Sequence, residues 1–501
     1  MRLPACLLCV LVPLLVFAFP ARAQDPAPSM PVTVSTGQPL SSLELVRFAL
    51  ERNGELSAAR LDAARARTRL RQAGLVPNPT LDFERRTGRF TGARGESETS
   101  LGVAIPIEIA GQRGRRIDVA EAEMAAVEAE IANRERQLAN DVRIRYAEAL
   151  AASRELSTLA NLNAIDTETV RFVGVRIAEG DSAPLDLRLL QTEVSRLQAR
   201  RTLVEGRFHA ALLELKNLAG LPADGDVKLG EDLALAVWSN APRSVDEATA
   251  IAMATRPDLR LAALEQAVAE AGLRLVRARS APEVTAFGRY TVENSVFDDT
   301  PVGVLTDRDR TIAFGVSIGL PIFNRNQGAR AEAEIAIEQA KRRRAFAESR
   351  VRAEVASAFA RLQAAESAVA TFETGVIERS EANVASVRGA YLVGAYRITE
   401  LLAEQRRLVE SQREFTETLS ERYRALADLQ SAMGIAPVIG ERSRPLPRAS
   451  ASPEPNGYPG ATAVAPEVDD VEPLAPVPLS GAPNLTLPVT ARSAATGPRP
   501  E

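Results

Sequence analysis

Histidine and cysteine, the residues that most readily ligate metals and attack substrates, are almost missing from this chain. Its 501 residues include one His, His209, and two Cys, Cys6 and Cys9. A single His cannot build a His-rich metal site, so no metal ligands are assigned. The sequence contains no phosphate-cradling glycine loop, no Gly-x-Ser-x-Gly elbow and no His-Glu-x-x-His pair. Acidic side chains number 65 against 61 basic ones, and no acidic pair stands apart from the solvated ones. The run Lys341-Arg342-Arg343-Arg344 lies in a Glu- and Ala-rich helical stretch and reads as a solvated face. His209 follows Phe208 on a helix with an apolar seam and is expected to be structural. These residues support neither an enzyme nor a cofactor, and a net charge of −4 argues against a nucleic-acid partner.

Both cysteines fall within a leader. Arg2 supplies a positive start, Ala5 to Phe19 an apolar run, Pro20 a break, and Ala21-Arg22-Ala23 a small-x-small cleavage site. Residues 1–23 are therefore expected to be a signal peptide, and no lipid is expected at Cys6 because no apolar region precedes it. Cleavage removes two arginines and no acids, taking the net charge from −4 to −6. The exported chain then carries no Cys, as suits an oxidising compartment.

Prolines mark out the elements. Of 31, 7 lie in residues 1–40 and 14 in residues 437–501, leaving 10 in the 396 residues between. Helix interiors exclude proline, so the middle can run in long helices. Gly111 to Ala178 holds no proline, enough for a helix of about 100 Å. Gly180-Asp181-Ser182-Ala183-Pro184 is a turn, and Leu185 to Ala219 returns as a second helix. Its seam of Leu190, Val194, Leu197, Val204, Phe208, Ala211, Leu215 and Leu218 has heptad spacing. Leu408, Phe415, Leu419, Leu426, Leu429 and Met433 repeat that spacing later. Ser41 to Gly74 reads as one helix, with Ser41 or Ser42 as N-cap and Glu44 near the capping-box position.

The chain also reads as two copies of one unit. Ser41 to Leu81 aligns without gaps to Ser244 to Val284, pairing Glu44 with Glu247, Leu56 with Leu259 and Pro79 with Pro282. Gly180 and Leu187 match Gly394 and Leu401. The expected organisation is leader 1–23, N-terminal extension 24–40, first repeat 41–222, linker 223–243, second repeat 244–436 and a Pro-rich tail 437–501 read as disordered.

Each unit holds two strand-like segments. Leu101, Val103, Ile105, Ile107 and Ile109 alternate with small or polar residues, as do Ile312, Phe314, Val316, Ile318 and Leu320. Leu81 and Phe83 start a weaker segment, and Val284, Ala286, Tyr290 and Val292 another. Four strands of about ten residues match a transmembrane barrel wall in height but are too few to close one. Two readings follow from this pattern: several chains sharing one barrel, or a small sheet capping a helical bundle.

The residues resemble the TolC family of outer-membrane efflux proteins over about residues 41–436. Gly74-Leu75-Val76-Pro77-Asn78-Pro79-Thr80-Leu81 is similar to a segment of its CzcC-like heavy-metal efflux branch. So is Glu108-Ile109-Ala110-Gly111-Gln112-Arg113-Gly114-Arg115-Arg116. The resemblance implies a mainly α fold with a small β part: long helical hairpins form a tunnel, and a homotrimer completes a 12-stranded barrel in outer-membrane lipid, with four strands per chain. It implies a passive exit duct for a periplasmic adaptor and an inner-membrane RND pump, carrying metal cations, with drug efflux or type I secretion as alternatives. A periplasmic coiled-coil protein that transports nothing is the alternative of a different class. Val393-Gly394-Ala395, with Gly180 and Asp181 as counterparts, resembles the helix tips where the adaptor docks. Tyr391 matches a position near the tunnel constriction and Glu400 an acidic one at the periplasmic mouth, while Tyr396 stands where one constriction arginine would be, with Arg397 adjacent. Pro77, Asn78, Pro79, Gly111, Gly114, Pro321 and Gly328 are the expected structural turns.

Overall fold

A computed structural model describes residues 39–90, 95–180, 182–235, 241–297, 303 and 305–435. The expected leader, most of the extension 24–40, Asp181 and the tail 437–501 lie outside the described residues. Among the described residues the chain is mostly helical, with one four-stranded antiparallel sheet.

Helix α1 (Ser42–Arg52) starts in the expected capping box. The Glu44 amide donates to Ser41 Oγ at 3.3 Å, and the Glu44 carboxylate accepts the Ser41 amide at 2.8 Å. It does not continue to Gly74. Asn53 is extended (φ −60°, ψ 128°), and its Oδ1 accepts the Leu56 amide, so it ends α1 and caps a second helix, α2 (Gly54–Ala73). The side chain that caps a new start also breaks the old one.

Helix α3 (Gln112–Ala178) has 67 residues, about 100 Å of uninterrupted rod. Helix α4 (Pro184–Leu218) returns beside it. Helix α5 (Val245–Thr255) opens on Ser244 Oγ, which accepts the Glu247 amide, and ends at extended Arg256; α6 (Pro257–Ala278) follows with proline in its first turn. Helix α7 (Gln327–Thr371) passes through a π-helical segment, Phe372–Ile377, into α8 (Glu378–Leu392). Helix α9 (Ile398–Ala432) completes the bundle. Gly220 closes α4 at φ 63° and Gly434 closes α9 at φ 66°. A Cβ on Gly220 would sit 2.8 Å from the Arg52 carbonyl, and one on Gly434 would sit 2.9 Å from Arg256 Cα.

The seams are core. Leu190, Leu197, Val204 and Leu215 are buried on α4, and Leu408, Phe415, Leu419 and Leu429 on α9, with Met433 buried just past its end. His209 lies off the α4 seam. It is exposed beside Phe208, with ring centroids 5.9 Å apart, because the buried positions Val204, Leu212 and Leu215 turn it outward.

Residues 229–234 pack against the middle of α3 and against α9. Tyr146 Oη donates to the Leu40 carbonyl at 2.9 Å and accepts the Gly230 and Glu231 amides at 3.1 and 3.2 Å. The Glu231 carboxylate accepts from the Ser42 amide at 2.7 Å and from Tyr423 Oη at 2.9 Å. Burial and the Glu231 charge push both phenols above their ordinary pKa, which keeps them as donors.

The sheet comprises β1 (Thr80–Thr87), β2 (Ser97–Ile107), β3 (Glu283–Phe297) and β4 (Leu305–Gly319), in that spatial order. On one face the rows are Phe83, Leu101, Tyr290, Ile312; then Leu81, Val103, Gly288, Phe314; then Ile105, Ala286, Val316; then Ile107, Val284, Ile318.

Candidate functional site: sheet wall and helix tips

The apolar face of the sheet is exposed; on β1 and β4 the other face is exposed too, and on β2 it is the more covered of the two. Leu101 is 47 % exposed, Ile105 51 % and Phe314 84 %, whereas Ser100 on the other face is 5 %. Two glycines make room for aromatic rings from the neighbouring strand. Phe314 lies over Gly288 on the apolar face, and Phe287 covers Gly315 on the other. Four rows at two-residue spacing give an apolar band of about 20 Å, and Ile109 and Leu320 extend it towards the 25 Å of an outer-membrane wall. The outer edges of β1 and β4 have no strand partner among the described residues.

Of the expected turn residues, Pro77, Asn78, Pro79, Gly111 and Pro321 lie between sheet and helices, whereas Gly114 and Gly328 fall within helices. Pro77, Asn78 and Pro79 form the extended link from α2 to β1. Gly111 precedes α3 at φ 68°. Arg113 Nε donates to the Gly74 carbonyl, and Arg116 donates to the carbonyls of Ala73 and Leu75 while pairing with Glu108. The motif thus caps the open end of α2 with guanidiniums from α3. Gly114 lies in the first turn of α3, with open space where a Cβ would stand. Pro321 follows β4. Gly328 lies in the first turn of α7, behind Asn326, which takes the left-handed conformation at φ 58°.

At the far end the two tips pack together. Val173, Leu190, Tyr391, Ile398, Leu401 and Leu402 form one cluster across α3, α4, α8 and α9. Gly180 turns the first tip at φ 86° and Gly394 the second at φ 77°. Val393 ends α8, the Gly394 amide donates to the Tyr391 carbonyl, and the Ala395 amide donates to that of Ala390, a Schellman closure. This leaves Val393 81 % exposed. Tyr391 is buried in the cluster, and its hydroxyl has no hydrogen-bond partner among the described residues. Burial and Asp186 raise its pKa, with Arg176 opposing. Arg397 and Glu400 are exposed, and the Glu400 carboxylate accepts the Arg397 amide at 3.3 Å, capping α9. Among the described residues no hydrogen bond or ion pair joins Tyr391 to either.

A buried polar cluster above the tips escaped the sequence reading. Asp166 on α3 is 3 % exposed and accepts from Gln405 Nε2 on α9 at 2.9 Å. Glu193 on α4 is 4 % exposed and pairs with Arg406 on α9 at 2.9 Å and Arg196 at 3.4 Å. Burial pushes the Asp166 carboxyl up to about 6, the Gln405 hydrogen bond lowers it, Glu193 raises it, and Arg388 on α8 lowers it. The cluster ties the α3–α4 hairpin to the α8–α9 hairpin through groups that ionise. Among the described residues no group of three His, Cys, Asp or Glu could hold a metal ion, and no helix is long and apolar enough to cross a membrane.

A family model, outer membrane efflux protein, matches residues 45–221 and 250–435. The chain belongs to this family. It is 24 % identical over 410 residues to the cobalt-zinc-cadmium resistance protein CzcC of Cupriavidus metallidurans, covering 79 % of this chain and 90 % of that one. It is 26 % identical over 331 residues to the nickel-cobalt-cadmium resistance protein NccC of Alcaligenes xylosoxydans xylosoxydans, covering 64 % and 67 %. Among solved structures, the fold matches CusC, crystallised to follow the conformational changes that accompany folding and transmembrane channel formation, at a TM-score of 0.64 and 20 % identity over 78 % of this chain and 92 % of that one. This outer-membrane efflux protein therefore shares the TolC-like fold and resides in the outer membrane. The exposed apolar sheet and the long helical hairpins are the parts that its family's location and activity call for.

Proposed function

We propose that this chain is the exit duct of a tripartite RND-type efflux system and passes heavy-metal cations from a periplasmic adaptor and inner-membrane pump to the exterior. The carrying observation is the four-stranded sheet, which has a continuous apolar face and, among the described residues, two unpaired edges. An open edge is intolerable in lipid. Three copies would give twelve strands, above the roughly eight at which single-chain barrels begin. The pump supplies the energy and the duct conducts without coordinating.

The reading assigns two tandem repeats, 41–222 and 244–436, joined by the linker 223–243. The paired breaks at Asn53 and Arg256, each met by a closing glycine, Gly220 and Gly434, support it. The tips at Gly180 and at Val393, Gly394 and Ala395 then dock the adaptor, with Asp181 in the first tip outside the described residues. Tyr391, Arg397 and Glu400 stand near the mouth, where three Glu400 carboxylates favour cations over anions.

Deleting the gene tests the cargo. Cells are expected to lose tolerance to cobalt, zinc or cadmium and regain it from a plasmid copy. Loss of tolerance to drugs alone would move the cargo to organic molecules.

A further inference from the structure

Above the apolar band the two faces of the sheet carry opposite charge. Beyond the row Phe83, Leu101, Tyr290, Ile312, the next row on that face is Arg85, Thr99, Val292, Arg310, and the one after is Thr87, Ser97, Asn294, Arg308. The alternate rows place Glu84 and then Glu98, Glu293 and Asp309 on the opposite face, with Asp307 beyond them. The run Asp307-Arg308-Asp309-Arg310 meets the two-residue period of a strand. Both acids therefore point to one side and both bases to the other.

The bases are also unneutralised. Arg86, on the acidic face, pairs with Glu84 at 2.9 Å and Glu98 at 3.2 Å. Arg85, Arg308 and Arg310 are exposed, and none has an ion pair among the described residues. Arg308 and Arg310 stand about 7 Å apart on one strand face, an arrangement that costs repulsion unless an anion lies between them. Their place is specific: Arg310 is one row beyond Tyr290, the phenol that ends the apolar band, where aromatic side chains meet lipid headgroups.

We propose that Arg85, Arg308 and Arg310 form an outward basic collar that binds phosphate groups on lipid headgroups in the leaflet above the apolar band. The planar guanidinium fork matches phosphate oxygens, and the apolar rows below receive the acyl chains of the same lipid. In the assembled barrel β4 of one copy meets β1 of the next, so every seam carries Arg85 on one strand and Arg308 and Arg310 on the other. The proposal rests on the reading of the sheet as barrel wall.

The experiment uses the full chain purified in non-ionic detergent and two probes: a glucosamine-disaccharide lipid bearing two phosphates, and the same lipid with its phosphates removed. Fractionation comes first. Absence of the unaltered protein from the outer membrane would overturn the barrel-wall reading beneath the proposal. Given insertion, the unaltered protein is expected to bind the phosphorylated lipid at least about tenfold more tightly, since each arginine near anionic headgroups is worth roughly fivefold. The triple variant Arg85→Gln, Arg308→Gln, Arg310→Gln is expected to lose that preference. Asp307→Asn with Asp309→Asn, on the other face, is expected to keep it. If the triple variant fails to insert, the three single Gln variants are read instead, each with a loss of about two- to fivefold. No preference in the unaltered protein, or an undiminished one in the variants, would overturn the collar.

Discussion

Asp166 sets the sharpest test at the scale of single residues. A carboxylate enclosed between helices ionises at a cost, and this one is held up to about 6 against an ordinary 3.8. Between those values the folded chain binds more proton than the unfolded one. The contribution is therefore complete below about pH 4 and fades as pH rises through 6. Asp166→Asn keeps an oxygen for Gln405 and removes the titration. The variant is expected to be more stable than the parent by up to about 3 kcal/mol at pH 8 and nearly equal to it at pH 4. Thermal melting of the detergent-solubilised protein at both values checks this, and an equal gap at both would remove Asp166 as the titrating group. The turns at Gly180 and Gly394 were legible because glycine permits the positive φ that both adopt. Asp166 and Gln405 were not, since they lie 239 residues apart and meet only through the register of α3 against α9.

Among the elements, the strands show how closely period fixes face. The alternation of Ile312, Phe314, Val316 and Ile318 was readable, and the structure puts all four on the exposed apolar side. Val316 and Ser317 are neighbours on opposite faces. Val316→Arg is expected to cost roughly 2–4 kcal/mol of insertion free energy, the range for a cation on the lipid face at mid-depth, whereas Ser317→Arg costs little. Outer-membrane fractionation of the two variants compares them, and equal insertion would contradict a lipid-facing band. Long helices were legible for the same reason: the absence of proline constrains a whole segment. Interruptions were harder to read. Asn53 suits a helix surface as well as a cap, and the choice shows only in the fold, where it caps α2 and Gly220 packs closely on Arg52. The π-helical segment has no proline, and Phe372 stacks on Phe415 with centroids 5.9 Å apart, a contact with a helix that follows later in the chain.

For the whole molecule, the outer edges of β1 and β4 decide how many copies assemble. Strand twist and tilt close a sheet into a barrel only at a strand number that matches its shear, so addition of copies must stop once the last edge meets the first. The chain has no Cys beyond Cys9, and the expected leader removes both, so introduced thiols report without background. Asp82→Cys on β1 is combined in turn with a Cys at each inward position of β4, from Asp309 through Thr311 and Ala313 to Ser317. The scan covers the register between copies, which the single chain leaves open. A disulfide requires Cβ atoms within about 4.5 Å, so one or two neighbouring pairings are expected to cross-link and the rest to stay reduced. Oxidised membranes from the productive pairing should give covalent dimers and trimers on denaturing gels, with nothing larger, because a third bond closes the ring. Monomers at every position would place β1 and β4 away from each other. A ladder running past three would mean an open, head-to-tail association that lipid could not accommodate, and would end the duct reading along with the trimer.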